Sequence, residues 1–480
     1  MHLRYNITLS LLTAIVLLAS SCYKDDQSFE YDKINDIKLE TPSTTYTVAA
    51  EDVLVIEPKL IETMPTGEEY NYSWTISSTT LTATIVASTK ALNLKMAYAP
   101  GTYTVIYKVT SKTTGISALA RYTVTVNGIY YGGWYVVHNK DGKAKASLIR
   151  QDEVIYDNPM EVTNKKTYPG KALSLYYYSS GLLYFFTDQG AYRFNMNDWL
   201  ELTNTTTTLP GLASPLPFKT APVFSATGLN WDQYIVAEGG IYAGLGAGAF
   251  GTAETIKPFS DRITGDYEMF PGVFSGNLYT TLFYDNKTQR FISLGYLDRT
   301  LVPATATPSA TFNMANVAKK MIAYDTGVYT SQTAEYYYVM ENNTGRYLLS
   351  TTSTTTATNP GISQQILNSP EILSATKFAT STLLKQMYYS TNNKVYLYDI
   401  LANSARLIYT FPSNYIIQDI EILRSTSKRL VIGVNNGSAG EVYYFDIDGL
   451  GQFANNTYAK KYTGFGEIAQ VLAARGKTEQ

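Results

Sequence analysis

The sequence predicts an all-β chain: an immunoglobulin-like β-sandwich followed by a β-propeller of about seven blades. Three observations lead there. The composition suits pleated strands, with 42 tyrosines in 480 residues and only 16% charged side chains. Aromatic and β-branched residues fit a half-buried pleated surface and offer little to helices. Residues 34–127 read as short alternating strands with turn signals every 8 to 12 residues or so, the pattern of a sandwich. Beyond residue 128 one hairpin recurs at a nearly fixed period, and a period of that size marks a repeat architecture.

In the first of these regions Val53-Leu54-Val55-Ile56-Glu57-Pro58 reads as one strand. Tyr70-Asn71-Tyr72-Ser73-Trp74-Thr75-Ile76 alternates, which places Tyr70, Tyr72, Trp74 and Ile76 on one face and Trp74 in the expected core. Pro100-Gly101 is a turn leading into Thr102–Val109, and Tyr122–Val126 closes the domain.

The repeat occupies residues 128–475. Each copy is an aromatic or aliphatic strand, a polar turn and a second strand. The first strands are Trp134–His138, Leu183–Phe186, Tyr234–Ala237, Leu282–Tyr284, Tyr337–Met340, Met387–Tyr389 and Leu430–Val434. They recur about every 50 residues, shortening to about 43 at the last step, which is the length of one four-stranded blade. Independent sandwiches would need about 100 residues each. Closing the sheets into a ring also hides strand edges. Three tyrosine clusters lie in this region: Tyr176–Tyr178, Tyr336–Tyr338 and Tyr388–Tyr389. Neighbours on a strand point to opposite faces, so half of each cluster is expected in a blade core.

The N-terminus reads as a lipoprotein signal peptide over residues 1–21. Arg4 lies in a short n-region, and the largely apolar run Ile7–Ala19 is shorter than the roughly 20 residues that span a bilayer. Small residues Ala19-Ser20-Ser21 precede Cys22, the one cysteine of the chain. A secreted domain built on disulfides would carry an even set. A cysteine directly behind a small-residue cleavage site is the lipidation position, although Leu18 stands four residues ahead of it where the usual pattern has it three ahead. Acyl chains add roughly 0.8 kcal/mol per buried methylene, so a multiply acylated Cys22 anchors firmly. Residues 22–33 form a polar tether. Within it, Lys24-Asp25-Asp26 resembles the surface-export signal of Bacteroidota lipoproteins, which implies an outer-membrane protein facing outward.

The inventory for chemistry is short. Net charge is −2, which gives no basic footprint for nucleic acid. After cleavage one histidine remains, His138, so a Ser-His-Asp triad has only that residue to use. It lies on a predicted strand and reads as a packed or surface side chain. Zinc sites built on His and Cys lack their ligands. Gly244-Leu245-Gly246-Ala247-Gly248 is not followed by a helix and reads as a turn. Asp446-Ile447-Asp448-Gly449 lacks the later ligands of a calcium loop and also reads as a turn. Carboxylate pairs for glycoside hydrolysis could come from any two loops; Asp188, Asp232, Glu238 and Asp266 are the candidates. No catalytic residue, metal or cofactor is assigned, and the ligand-contacting residues are not identified.

The sandwich segment, through its Trp74 strand and Pro-Gly-Thr-Tyr-Thr-Val run, resembles the PKD branch of immunoglobulin-like domains, without the Asp- and Gly-rich turn after the tryptophan. The full layout resembles the PKD-like family lipoproteins of Bacteroidota: lipidation site, acidic tether, one PKD-like domain and a propeller-like remainder. The run from Cys22 to Ile37 is similar to the start of those mature proteins. The resemblance implies a non-enzymatic binding or assembly subunit of a SusCD-type, TonB-dependent uptake complex. Its partners would be a SusC-type transporter, a SusD-type lipoprotein and other small surface lipoproteins, its cargo a glycan or an oligopeptide, and its membrane contact the lipid anchor alone. The alternative is a surface enzyme hydrolysing glycan or peptide on the propeller scaffold.

Overall fold

The structure, a computed structural model, describes residues 34–64, 67–178, 181–203, 218–227, 232–244, 262–295, 298–330 and 332–474. Strands dominate it. The chain divides into two compact units. One comprises Met1–Tyr46, Val53–Lys95 and Thr102–Thr125; the other comprises Thr47–Asp52, Met96–Gly101 and Val126–Gln480.

The N-terminal strands form a five-stranded sheet, in the order Thr45–Ala49, Ser117–Asn127, Gly101–Ser111, Tyr70–Ser77 and Thr84–Ala87. Two two-stranded ribbons accompany it: Ile37–Glu40 with Lys59–Glu62, and Val53–Ile56 with Leu92–Lys95. The alternation read from the sequence decides what is buried. Trp74 and Ile76 are buried, while Asn71 is exposed. The Trp74 ring stacks on Tyr107 at 4.1 Å and on Tyr122 at 5.9 Å, and its indole N–H donates to the Thr89 carbonyl at 2.8 Å. A buried indole with a satisfied N–H gives its full apolar area to the core without the cost of a stranded donor.

The second unit is a propeller-like succession of antiparallel sheets, seven among the described residues. Sheet A holds Glu467–Ala474, Gly133–Lys140, Lys143–Ile149 and Ile155–Tyr156. Sheet B holds Ala172–Tyr178, Leu182–Thr187, Gly190–Asn195 and Glu201–Thr203, and sheet C holds Val223–Thr227, Asp232–Ala237 and Gly240–Gly244. Sheet D holds Phe274–Ser275, Thr280–Asp285, Arg290–Gly295 and Val302–Pro303. Sheet E holds Lys320–Tyr329, Thr333–Asn342, Gly345–Thr354 and Thr358–Gln365. Sheet F holds Lys377–Thr380, Gln386–Ser390, Lys394–Asp399 and Ser404–Thr410, and sheet G holds Ile416–Ile422, Arg429–Asn436, Ala439–Asp446 and Lys460–Phe465. In each case the strand named first is the lead strand. Sheet A draws its lead strand from the C-terminal end of the chain, with Trp134 paired to Ala473.

Each recurrent hairpin of the sequence lies within one sheet, as its second and third strands. The turns suit their residues: in Asp141-Gly142 both backbones are left-handed, as a two-residue hairpin turn requires. Consecutive sheets share apolar cores. Leu175 and Phe185 of sheet B pack with Tyr135 of sheet A, and Tyr184 of sheet B packs with Ile235 of sheet C. The series runs on until Val431 of sheet G packs with Trp134 and Val136 of sheet A.

Both faces of a sheet are therefore covered, and this corrects the expectation for two of the three tyrosine clusters, while Tyr176 and Tyr177 of the third are half-buried. Tyr336 and Tyr338 point into the core between sheets D and E, while Tyr337 points into the core between E and F. Tyr388 and Tyr389 divide in the same way between the F–G and E–F cores. All five are buried, not half of them, because alternation here exchanges one core for another and not core for solvent.

Candidate functional site

Cys22, Lys24, Asp25 and Asp26 lie outside the described residues, as do residues 245–248 of the glycine-rich run. The tryptophan-to-histidine strand places His138 in sheet A, fully buried. Its Nδ1 accepts the Gly466 backbone N–H at 3.0 Å, and its Nε2 lies 2.9 Å from the Ser147 hydroxyl. A ring nitrogen that accepts a backbone N–H carries no proton, so the proton is on Nε2 and is donated to Ser147. Ser147 in turn donates to Asp157 Oδ1 at 3.2 Å. The three residue types of a hydrolytic triad are thus brought together with the opposite polarity: the histidine gives a proton to the serine and has no lone pair to take one from it. Burial pushes the His138 pKa down to about 4, which keeps the ring neutral. This group bonds the start of the repeat region to its end.

The four candidate carboxylates do not assemble. Asp188 Oδ1 accepts the Lys171 backbone N–H at 2.7 Å. Glu238 Oε1 accepts the backbone N–H groups of Lys219 and Thr220 at 2.9 and 3.0 Å. Both acids sit in hairpin turns and tie down the segment ahead of their own lead strand. Asp266 pairs with Lys287, and Asp232 is buried beside the Tyr234 hydroxyl at 3.4 Å. Asp448 accepts the backbone N–H groups of Leu450 and Gln452 at 2.9 and 2.8 Å, which is a turn held by its own side chain.

A cluster that the sequence did not announce forms where lead strands come together. Asp325 of sheet E accepts a hydrogen bond from Arg424, which follows the lead strand of sheet G. It also accepts the backbone N–H groups of Thr326 at 2.8 Å and of Thr380, on sheet F, at 2.5 Å. Arg424 donates a second hydrogen bond to the Thr326 carbonyl. Asp419 of sheet G accepts the Val471 N–H of sheet A at 3.0 Å, and Gln470 Oε1 accepts the Leu175 N–H of sheet B at 2.8 Å.

β-bulges aim these side chains. The register shifts between Ile417 and Asp419 and, in sheet A, between Ile468 and Gln470, so the residue just past each bulge reaches the next lead strand. A bulge re-aims a side chain in this way without breaking the sheet. Ser174, past the bulge in sheet B, likewise reaches the Pro222 carbonyl at 3.2 Å.

Tyr176 and Tyr324 flank the cluster. Burial raises the Tyr176 pKa and the Asp419 charge adds to it, and burial likewise raises that of Tyr324, which also feels Tyr176, Asp325 and Arg424. Burial pushes Asp419 up to about 6, against the opposing pull of Lys377 and of the two backbone N–H groups it accepts. Asp325, Asp419, Arg424 and both tyrosines each keep part of their surface open. The group thus offers aromatic rings, acids and a guanidinium within one partly accessible setting, which is the chemistry that small polar-ligand sites use. The one sequence signal was an acid inside the strand Ile417-Gln418-Asp419-Ile420-Glu421-Ile422, where a core-facing position would call for an apolar residue.

A family model described as the PKD-like family matches residues 22–172. The N-terminal domain is accordingly PKD-like. The match runs past the sandwich through the three strands of sheet A between Gly133 and Tyr156 and ends at Ala172, the first residue of the lead strand of sheet B. No curated protein matches the chain. Among solved structures, the chain is similar to a quinonprotein alcohol dehydrogenase-like protein of Bacteroides thetaiotaomicron, at 12% identity over 90% of this chain and 97% of that one, with a TM-score of 0.46. It is also similar to apo AztD of Citrobacter koseri, at 10% identity over 85% of this chain and 100% of that one, with a TM-score of 0.36. The PKD domain of human KIAA0319 matches at 19% identity over 21% of this chain and 88% of that one, with a TM-score of 0.17.

Proposed function

We propose that this chain is an exported lipoprotein, anchored through acyl chains on Cys22 to the outer membrane and facing the cell surface. On this reading it serves as a non-enzymatic binding or assembly subunit of a SusCD-type, TonB-dependent uptake complex that handles a glycan or an oligopeptide. The observation that carries the proposal is that the PKD-like match opens at Cys22, the single cysteine, directly behind an apolar run and three small residues. The reversed polarity of the His138–Ser147–Asp157 group supports binding over serine-type hydrolysis.

The second unit is proposed as a closed propeller of seven blades. One device supports this. Asn139 of sheet A accepts the Ala172 N–H at 2.7 Å and donates to the Ala172 carbonyl at 3.5 Å, clamping the lead strand of sheet B. Asn286 of sheet D clamps Met321 of sheet E in the same two-point way, at 2.8 and 3.2 Å. Asn435 of sheet G clamps Ile468 of sheet A at 2.8 and 3.1 Å. The last of these repeats, between the final and first sheets, a joint used between consecutive ones.

The test is a pull-down through a C-terminal tag from detergent-solubilised outer membranes. Co-purification of a TonB-dependent transporter is the expected result, and recovery of the free monomer would defeat the partner assignment. Cys22→Ala should release the chain from the membrane. Replacing Lys24, Asp25 and Asp26 with alanine should keep it anchored and remove its accessibility to protease added to intact cells.

A further inference from the structure

The turns at one end of the sheets share a construction. In six of them a side-chain oxygen accepts the backbone N–H two residues later, and the residue fixed there is large, apolar and exposed. The pairs are Asp152 with Val154 at 3.3 Å, Asp198 with Leu200 at 2.9 Å, and Asn277 with Tyr279 at 2.8 Å. The others are Ser381 with Leu383 at 3.2 Å, and Asp399 with Leu401 and Asp448 with Leu450, both at 2.9 Å. Each turn joins the first to the second strand or the third to the fourth, so within its antiparallel sheet each lies at the same end. The seven hairpin turns at the opposite end carry no apolar tip among the described residues. Val162, Leu367 and Leu373 on connections, and Ile416 at the start of a lead strand, are exposed at that end, without such a turn.

Three of the tips are neighbours. Leu383, Leu401 and Leu450 are 68%, 83% and 67% exposed. Their loops are joined by Gln386 Nε2 donating to the Leu450 carbonyl at 3.0 Å and the Ile400 N–H donating to the Lys385 carbonyl at 3.0 Å. A side chain held rigid in water at such exposure gains nothing from its own fold.

We propose that this end of the second unit is a lipid-contacting face, whose apolar tips enter the interfacial layer of the membrane that carries the anchor. The inference rests on the anchored, closed-propeller reading above, because closure sets the six turns on one side. The area decides the occupant. Three leucines expose on the order of 400 Å², about half of what each partner contributes to a stable protein–protein interface. The six tips are spread over sheets A, B, D, F and G, and no rigid partner surface fits tips so distributed as readily as a bilayer does, which has no shape of its own. A chain already tethered to the bilayer presents its tips at high effective concentration, so a small apolar area suffices.

The test uses the intact lipoprotein reconstituted in vesicles of phosphatidylethanolamine and phosphatidylglycerol. Leu401→Cys is labelled with a polarity-sensitive thiol dye, and Ser438→Cys, in the hairpin turn of sheet G, serves as the control. Expected is a blue-shifted emission at 401, quenched at least threefold more strongly by spin-labelled lipid than the label at 438. Water-like emission at 401 with the protein vesicle-bound would overturn the inference and leave the anchor standing. Labelling at Cys22 would show a free thiol there and overturn the anchor. A blue shift that needs co-reconstituted outer-membrane proteins, or a higher density of this chain, would reassign the face to a protein partner or a second copy.

Discussion

His138 and Asp419 carry opposite pH signatures at the joints of the second unit. His138 titrates near 4 in the fold and near 6.5 when unfolded. Between those values the unfolded chain binds a proton that the folded chain refuses. Stability from this group is therefore complete above about pH 6.5 and declines as pH falls toward 4, by roughly 3 kcal/mol at most. Asp419 is raised to about 6, so the folded chain takes up its proton first and this group adds stability as pH falls from 6 toward 4. His138→Gln should destabilise the protein at pH 7, and its deficit in calorimetric melting should close as pH drops to 4. For Asp419→Asn, the melting point of the parent relative to the variant should instead rise over the same range. Curves that stay parallel to the parent would remove both assignments. At this scale little was legible beforehand. The sequence places His138 on a strand and Ser147 on its hairpin partner, but the other partner, Gly466, is set by a pairing across the whole repeat. Asp325 and Arg424 are separated by 99 positions, and only the arrangement of sheets E and G brings them together.

At the scale of elements, the hairpins were legible and the lead strands were not. A second or third strand is covered on both faces, so it is written almost wholly in aromatic and aliphatic residues: Leu182–Thr187 and Asp232–Ala237 are buried throughout. Lead strands mix bulges, polar side chains and open positions, as in Ile416–Ile422, and lose the period of two that reveals a strand. The sandwich was legible through Trp74, and Trp74→Ala should cost about 3–5 kcal/mol by emptying a stacked core site. The asparagine clamps escaped detection because Asn435 and Ile468 lie 33 positions apart and an asparagine in a turn needs no further reason to be there. Asn139→Ala, Asn286→Ala and Asn435→Ala should each cost roughly 1–3 kcal/mol, since each leaves a backbone donor and acceptor without their partner. Asn435, the one that is buried, should be the most costly. Equilibrium denaturation of the three variants checks the order, and a neutral Asn435→Ala would show that the clamp contributes nothing.

For the whole molecule, the proposed ring is sealed by a strand that arrives last. Until Glu467–Ala474 pairs with Gly133–Lys140, sheet A lacks its lead strand and the apolar face of sheet G, with Val431 and Val442, lacks its cover. Gly466 is the pivot of that event. A Cβ there would fall on the Asn139 carbonyl, and the Gly466 N–H is the group that His138 accepts. Gly440 is tight for the matching reason, since its own Cβ would meet the Gly466 carbonyl. The seam thus has no room for a methyl group, and Gly466→Ala should cost about 3 kcal/mol or more although its backbone angles are open to alanine. Deleting residues 466–480 should go further, leaving a long apolar edge that pairs with other chains. Size-exclusion chromatography should then show aggregates, where Gly466→Ala remains a monomer that melts early. A monomeric, fully folded deletion variant would mean that the ring closes without its last strand. The joint between the first and last sheets would then be a contact of convenience, and the proposed closure, on which the single-sided array of apolar tips depends, would have to be given up.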